Sequence, residues 1–161
     1  MESFLEGYQV KNEPFQFYVT QMTIRLTAHD TAGTYSLVEM RHPGGVGPAL
    51  HVHPRSPESF FVIEGSYTFY RGEETVEAYP GTAVTIPAGV PHRYVSGPRG
   101  GHLLVIMPPG LEEYFWIIAG RLKHGPVPVA EEFALAASLG QDFINGEGHW
   151  GGHGAPAGET R

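Results

Sequence analysis

The chain has no cysteine among its 161 residues. That excludes a disulfide framework, a thiol nucleophile and every thiolate-held metal or iron–sulfur cluster, so any metal must be held by histidine and carboxylate. Basic residues are scarce as well. Ten Lys and Arg stand against 17 Asp and Glu, for a formal charge of −7. They are scattered from Lys11 to Arg161, with no stretch dense enough to follow a phosphate backbone, so nucleic acid is not an expected partner. No apolar run nears the ~18 residues of a membrane span. The opening Met1-Glu2-Ser3-Phe4-Leu5-Glu6 lacks the basic and then apolar regions of a secretory leader. No membrane association and a cytoplasmic location are therefore expected. With charged residues at only 17% and apolar residues at 41%, the composition suits a buried core and argues against a disordered or coiled-coil chain.

What is abundant is punctuation: 22 Gly and 14 Pro separate short apolar segments. Many short strands joined by turns fit this mixture better than a helical bundle, and the length allows one domain. Residues 1–21 read as an N-terminal arm or edge segment. Strands are predicted at residues 22–28, 34–42, 49–53, 58–64, 67–70, 75–78, 83–86, 92–95 and 102–107. Turn signals such as Pro80-Gly81 and Gly97-Pro98-Arg99-Gly100-Gly101 fall between them. Close, regular spacing of this kind points to an antiparallel sandwich or barrel over residues 22–107. Pro108-Pro109-Gly110 ends the last strand.

A helical segment over residues 108–144 follows. Its first helix, 111–119, has Glu112 and Glu113 in its opening turn and an apolar stripe of Leu111, Tyr114 or Phe115, and Ile118. Its second, 130–139, has Phe133 and Ala137 on one face and Gly140 as its stop. Residues 145–161, rich in Gly, His, Ala and Pro, read as a flexible tail.

Three of the nine histidines stand in a telling arrangement with one glutamate. His51-Val52-His53 on a strand points both imidazoles to one face, with Cα atoms about 6–7 Å apart. The turn Pro54-Arg55-Ser56-Pro57 then delivers Glu58 at the head of the next strand. Pro87-Ala88-Gly89-Val90-Pro91 later opens a strand with His92. Three neutral imidazoles and a carboxylate suit one divalent transition metal ion, whether Fe, Mn, Ni, Co, Cu or Zn. On an octahedral ion this set leaves two positions open. His29, His42 and His102 lie in turns or strands without a ligand-type partner and read as structural. His124 reads as bonded to helix C-terminal carbonyls, and His149 and His153 as part of the solvated tail.

These residues carry a resemblance. Gly45-x5-His51-x-His53-x4-Glu58-x6-Gly65 matches the first cupin motif at every position. Gly81-x5-Pro87-x-Gly89-x2-His92 matches the second up to its terminal Asn, where this chain has Ser96. The resemblance implies an all-β fold, a cupin (double-stranded β-helix, or jelly-roll) barrel with one or two C-terminal helices capping its mouth. It also implies His51, His53, Glu58 and His92 as metal ligands inside that barrel. Within the cupins, residues 44–53, 58–65 and 107–115 are similar to single-domain proteins of the quercetin dioxygenase type. That likeness implies a dioxygenase using O2 on a flavonol-like or other enolic aromatic compound, with Glu58 also serving as catalytic base. The alternatives are a metal-dependent cupin isomerase or cyclase, and a non-catalytic small-molecule-binding cupin.

Parity with Glu58 places Phe60 and Val62 inward. Phe69, Tyr94, Val105, Met107 and Phe115 join them as candidate lining of an apolar, aromatic substrate pocket, with Ile86 a further candidate. Phe61 and Ile63 have the opposite parity. They would face outward, so cover from a second subunit, as a homodimer, or from the N-terminal arm is expected.

Overall fold

The computed structural model describes residues 11–146, 149 and 150. Its strands are β1 (Pro14–Phe17), β2 (Thr20–Leu26), β3 (Ser36–His42), β4 (His51–Val52), β5 (Glu58–Arg71), β6 (Glu74–Ala78), β7 (Ala83–Ile86) and β8 (His92–Met107). Helices α1 (Glu112–Leu122) and α2 (Val129–Ser138) follow, and then a short β9 (Asp142–Phe143). All pairings are antiparallel, in the order β1-β2-β3-β8-β4-β9, with β5 bonded to β6, β7 and β8. The fold is an all-β cupin barrel with two C-terminal helices, as the motifs imply.

Two long strands carry the barrel round. Where the sequence predicts two strands on each side of a break, β5 and β8 each run unbroken. Gly97-Pro98-Arg99-Gly100-Gly101 is thus a bend within β8 and not a turn. The β5–β8 register shifts between Val62 and Glu64 and again between Gly65 and Tyr67. At the crossing Gly65 has φ +73°, and a Cβ there would lie 2.2 Å from the Gly100 carbonyl oxygen. Only glycine allows the two backbones to approach so closely and turn the corner.

The inward faces form one core. Met22 and Ile24 of β2, Val38 and Met40 of β3, Phe60, Val62, Tyr67 and Phe69 of β5, and Leu103, Val105 and Met107 of β8 are all buried. The barrel begins earlier than the sequence reading puts it. Within the segment read as an arm or edge segment, Pro14–Phe17 is an edge strand paired to Thr20–Thr23 of β2, with Phe15 and Phe17 buried. Alternation of Phe15 and Phe17 carries this signal, but four residues are too few to separate it from loop.

The helices lie as expected within two or three residues, yet the faces they bury differ in part. α1 buries Tyr114, Phe115, Trp116 and Ile118, with Leu111 buried just before it. Glu112 is buried too, and its role is a brace: its carboxylate accepts hydrogen bonds from the Ala28 amide (2.7 Å) and the Ser36 hydroxyl. In α2 the expected stripe is rotated. Ala137 is exposed and Phe133 half-buried, while Glu132 and Ala136 face inward. A carboxylate wins the inward position because its oxygens are satisfied there. Tyr18 Oη donates to Oε2 (2.5 Å), Tyr114 Oη donates to Oε1 (2.5 Å), and His149 Nε2 lies 2.8 Å from Oε1.

That last contact corrects the reading of the tail. His149 and Trp150 are buried, at 1% and 2% exposure, so the solvated segment does not begin at residue 145. His153 lies outside the described residues. On the outer wall Phe61, Ile63 and Ile106 are 44%, 38% and 46% exposed, so no described segment of the chain covers them. Among the described residues, no helix is long and apolar enough to cross a membrane.

Candidate metal centre

β4, β5 and β8 each deliver part of one cluster. His51 pairs directly with His92 across β4 and β8, with ring centroids 4.3 Å apart. His53 leaves the end of β4 on the same face as His51, and Glu58 heads β5. All four side chains are buried, and one donor atom from each lies within 4.8 Å of the others. Donors that sit about 2.0–2.2 Å from a common ion are ~3–4.4 Å apart, and the separations here, from 2.8 Å to no more than 4.8 Å, lie close to that spacing. Glu58 Oε2 is 2.8 Å from His53 Nε2, 2.9 Å from His92 Nε2 and 3.9 Å from His51 Nε2.

The other ring nitrogens fix the orientation. His51 Nδ1 lies 2.8 Å from the Ala49 carbonyl, His92 Nδ1 2.9 Å from that of Val90, and His53 Nδ1 3.3 Å from that of Gly140. A carbonyl can only accept, so each Nδ1 carries the proton and each Nε2 is turned toward the shared point. These are the backing bonds that histidine ligands need, and the donor set therefore fits a divalent transition metal. Two of the three carbonyls come from residues two positions before the ligand. The third, Gly140, sits just past α2 and ties the helical segment to the centre.

Electrostatics agree with a site built for positive charge. Burial pulls His51 down to about 4, with help from the neighbouring His92 and His53, against the pull of Glu58. For His53, burial acts downward too, but the charge and hydrogen bond of Glu58 outweigh it and raise the ring above its ordinary value. Glu58 would be raised by burial. The three histidines reverse that and hold its carboxyl well below the usual carboxylate range. The centre is an ionised carboxylate set among three imidazoles.

The substituted motif position is supported. Ser96 Oγ donates to the Pro43 carbonyl (2.5 Å) and accepts from the Val46 amide (2.9 Å), while its backbone bonds Gly45 and Val46. Ser96 therefore holds the loop that leads into His51.

Over residues 37–107 the chain matches the cupin domain family. The chain contains a cupin domain. The described strands β1 and β2 and helices α1 and α2 lie outside that match. A 106-residue stretch is 26% identical to quercetin 2,3-dioxygenase of Bacillus subtilis, covering 66% of this chain and 32% of that enzyme. The chain thus aligns with about a third of the length of its curated relative. Among solved structures, an RmlC-like cupin from Shewanella frigidimarina superposes with TM-score 0.54 at 18% identity, over 66% of this chain and 92% of that one. The polyketide cyclase RemF from Streptomyces resistomycificus superposes with TM-score 0.51 at 25% identity, over 63% and 78%.

The candidate lining residues of the cupin barrel are all buried: Phe60, Val62, Phe69, Tyr94, Val105, Met107 and Phe115. Ile86 is buried with them. Phe60 and Tyr94 stand two residues beyond Glu58 and His92 on the same strand faces, with ring centroids 5.4 Å apart, and Phe69 packs on both. They form the layer next to the four donors. The surface hollow between α1 and α2, lined by Arg121, His124, Val127 and Glu131, contains none of those donors.

Several residues here escape a sequence reading. β9 pairs Phe143 with His51 and sets their rings 5.8 Å apart, backed by Phe133. His42, read as structural, is buried with Nδ1 2.8 Å from Tyr67 Oη and Nε2 3.2 Å from Tyr94 Oη. His102 likewise has a partner, Glu39 Oε1 at 2.6 Å. His29 and His124 are exposed, and the His124 amide donates to the Arg121 carbonyl. Inward parity on β3 was a usable signal for His42, which stands two residues after Met40. Inward parity likewise placed Tyr94, two residues after His92, but nothing local joined either tyrosine to His42.

Proposed function

We propose that the chain is a metal-dependent dioxygenase that acts with O2 on a flavonol-like or other enolic aromatic compound. The observation that carries this reading is the convergence of three Nε2 atoms and one buried carboxylate beside an aromatic wall. A divalent transition metal bound there supplies a Lewis acid and a template for a deprotonated substrate oxygen.

His51, His53 and His92 hold the ion, oriented by their backbone carbonyls. Glu58 has two tasks. The contacts to the three histidines go through Oε2, which leaves Oε1 to accept the substrate's hydroxyl proton. Phe60, Phe69 and Tyr94 hold a planar ring and exclude water, and Val62, Val105, Met107 and Phe115 complete the apolar surround. The likeness to quercetin 2,3-dioxygenase over the barrel supports the substrate class.

A second reading has its own support in the likeness to a polyketide cyclase: a metal-dependent cyclase or isomerase that uses the same donors without O2. Metal analysis of the purified protein, followed by incubation with a flavonol panel under an oxygen electrode, separates them. Bound metal with oxygen uptake on turnover is expected. Turnover without oxygen uptake favours the cyclase or isomerase. Metal and ligand bound without turnover leaves a binding cupin.

A further inference from the structure

Trp150 stands where nothing in the motifs requires an aromatic residue. Its indole packs edge-on against Phe17 (5.1 Å between centroids), Phe115 (6.0 Å) and Tyr94 (6.4 Å), and lies parallel to His42 at 6.3 Å with 3° between the planes. Three rings roughly perpendicular to the indole and one parallel to it make an aromatic surround suited to a flat aromatic group. The slot adjoins the layer of Phe60 and Tyr94, next to the four metal-binding donors.

The occupant is poorly matched to a permanent place. Glycines stand at 146, 148, 151, 152 and 154, within four residues of it in the sequence, and glycine gives up more backbone freedom than any other residue when it is held in place. Its indole N–H is buried and closes no hydrogen bond of good geometry, although the Tyr114 hydroxyl is nearby. Buried tryptophans ordinarily satisfy that group. The adjacent His149 is held through Nε2 to Glu132 Oε1.

The slot also offers a hydrogen bond that the indole does not take. A neutral imidazole has one donor and one acceptor nitrogen. Tyr94 Oη donates to Met40 Sδ at 3.4 Å, so His42 Nε2–H donates to Tyr94 and His42 Nδ1 accepts from Tyr67, an assignment made from the network. The Tyr94 proton thus rests on a thioether, a weak acceptor. A ligand oxygen in the slot is a better one.

We propose that the Trp150 slot is a binding subsite for a planar, oxygen-bearing aromatic ring, occupied in turn by the chain's own indole and by the ligand. The ligand class rests on the reading of the barrel as an aromatic-substrate site. The exchange rests on the contacts of Trp150. Trp150 is then an internal competitor, and ligand affinity is reduced by the fraction of molecules in which the indole is seated.

The chain has two tryptophans, so the full-length protein labelled with 5-fluorotryptophan gives two fluorine resonances, assigned with Trp150→Phe. The metal-loaded protein is titrated with 3-hydroxyflavone without oxygen. The Trp150 resonance is expected to move to a solvent-exposed position while that of Trp116 stays buried. Trp150→Gly is expected to bind the flavonol about tenfold or more tightly than the natural chain, with Trp150→Phe between. Flavonol bound with the Trp150 resonance unmoved overturns the proposal, as does equal affinity in the natural chain and Trp150→Gly, or no binding by either. The fluorine measurement on the natural chain decides the matter if Trp150→Gly does not fold. Oxygen uptake without displacement of Trp150 sinks this inference alone, and displacement without oxygen uptake sinks the dioxygenase reading alone.

Discussion

Glu58 Oε2 lies 2.8 Å from His53 Nε2, across the turn Pro54-Arg55-Ser56-Pro57. The short loop between β4 and β5 places a carboxylate and an imidazole at one point, and His92 arrives there from a strand 34 residues later. If Glu58 both holds the ion and takes a proton, the two tasks separate on substitution. Glu58→Gln keeps a neutral oxygen donor but loses the base. Metal content by elemental analysis is expected to fall less than turnover by oxygen uptake. Equal losses would defeat the dual role, while His53→Ala should lose metal and turnover together.

His42 provides a pH test remote from the metal donors. Burial lowers it to about 3, helped by His102, so the folded protein keeps the ring neutral. The unfolded chain takes up a proton below about 6.5. Between these values the unfolded state binds more protons, so stability falls as pH falls, by up to about 1.4 kcal/mol per pH unit from this group. In urea unfolding, the natural protein is expected to lose about 2 kcal/mol more than His42→Gln between pH 7 and pH 5. Parallel pH profiles would show that His42 is not held neutral.

Glu132 holds together three segments far apart in sequence: Tyr18 before β2, Tyr114 on α1 and His149 near the chain end. Glu132→Ala removes the acceptor shared by the buried Tyr114 hydroxyl, the half-buried Tyr18 hydroxyl and the His149 imidazole. A loss of about 2–5 kcal/mol is expected from the urea midpoint, with Glu132→Gln losing less because its amide oxygen still accepts one bond. An unchanged midpoint for Glu132→Ala would mean that the cluster contributes nothing to stability.

On the outer wall, Phe61 stands opposite Leu104 and Ser59 opposite Ile106 in the β5–β8 register, which gathers the exposed Phe61, Ile63 and Ile106 on one face. A second copy of the chain is expected to cover it. The double variant Phe61→Asp, Ile106→Asp should halve the mass measured by light scattering while its metal content is unchanged, because both side chains point away from the barrel interior. A natural protein of monomer mass at all concentrations would refute this.

The sequence by itself determined the four donors, because their identity and spacing follow local rules. Period-2 geometry puts His51 and His53 on one face, and Pro-Gly turns set where Glu58 and His92 begin their strands. It also determined the all-β class and the two helices within a few residues. Only the tertiary structure decided that β5 and β8 run unbroken through Gly65 and Gly100–Gly101, since those glycines read equally well as turns until Gly65 is seen to admit the Gly100 carbonyl, Gly100 that of His42, and Gly101 the Tyr67 ring. It likewise decided that Glu132 faces inward, because a buried carboxylate is tolerable only where Tyr18, Tyr114 and His149 meet it. His149 and Trp150 were illegible for the same reason. A glycine-rich sequence has no periodicity to announce a contact, and the burial of these two side chains comes from partners elsewhere in the chain.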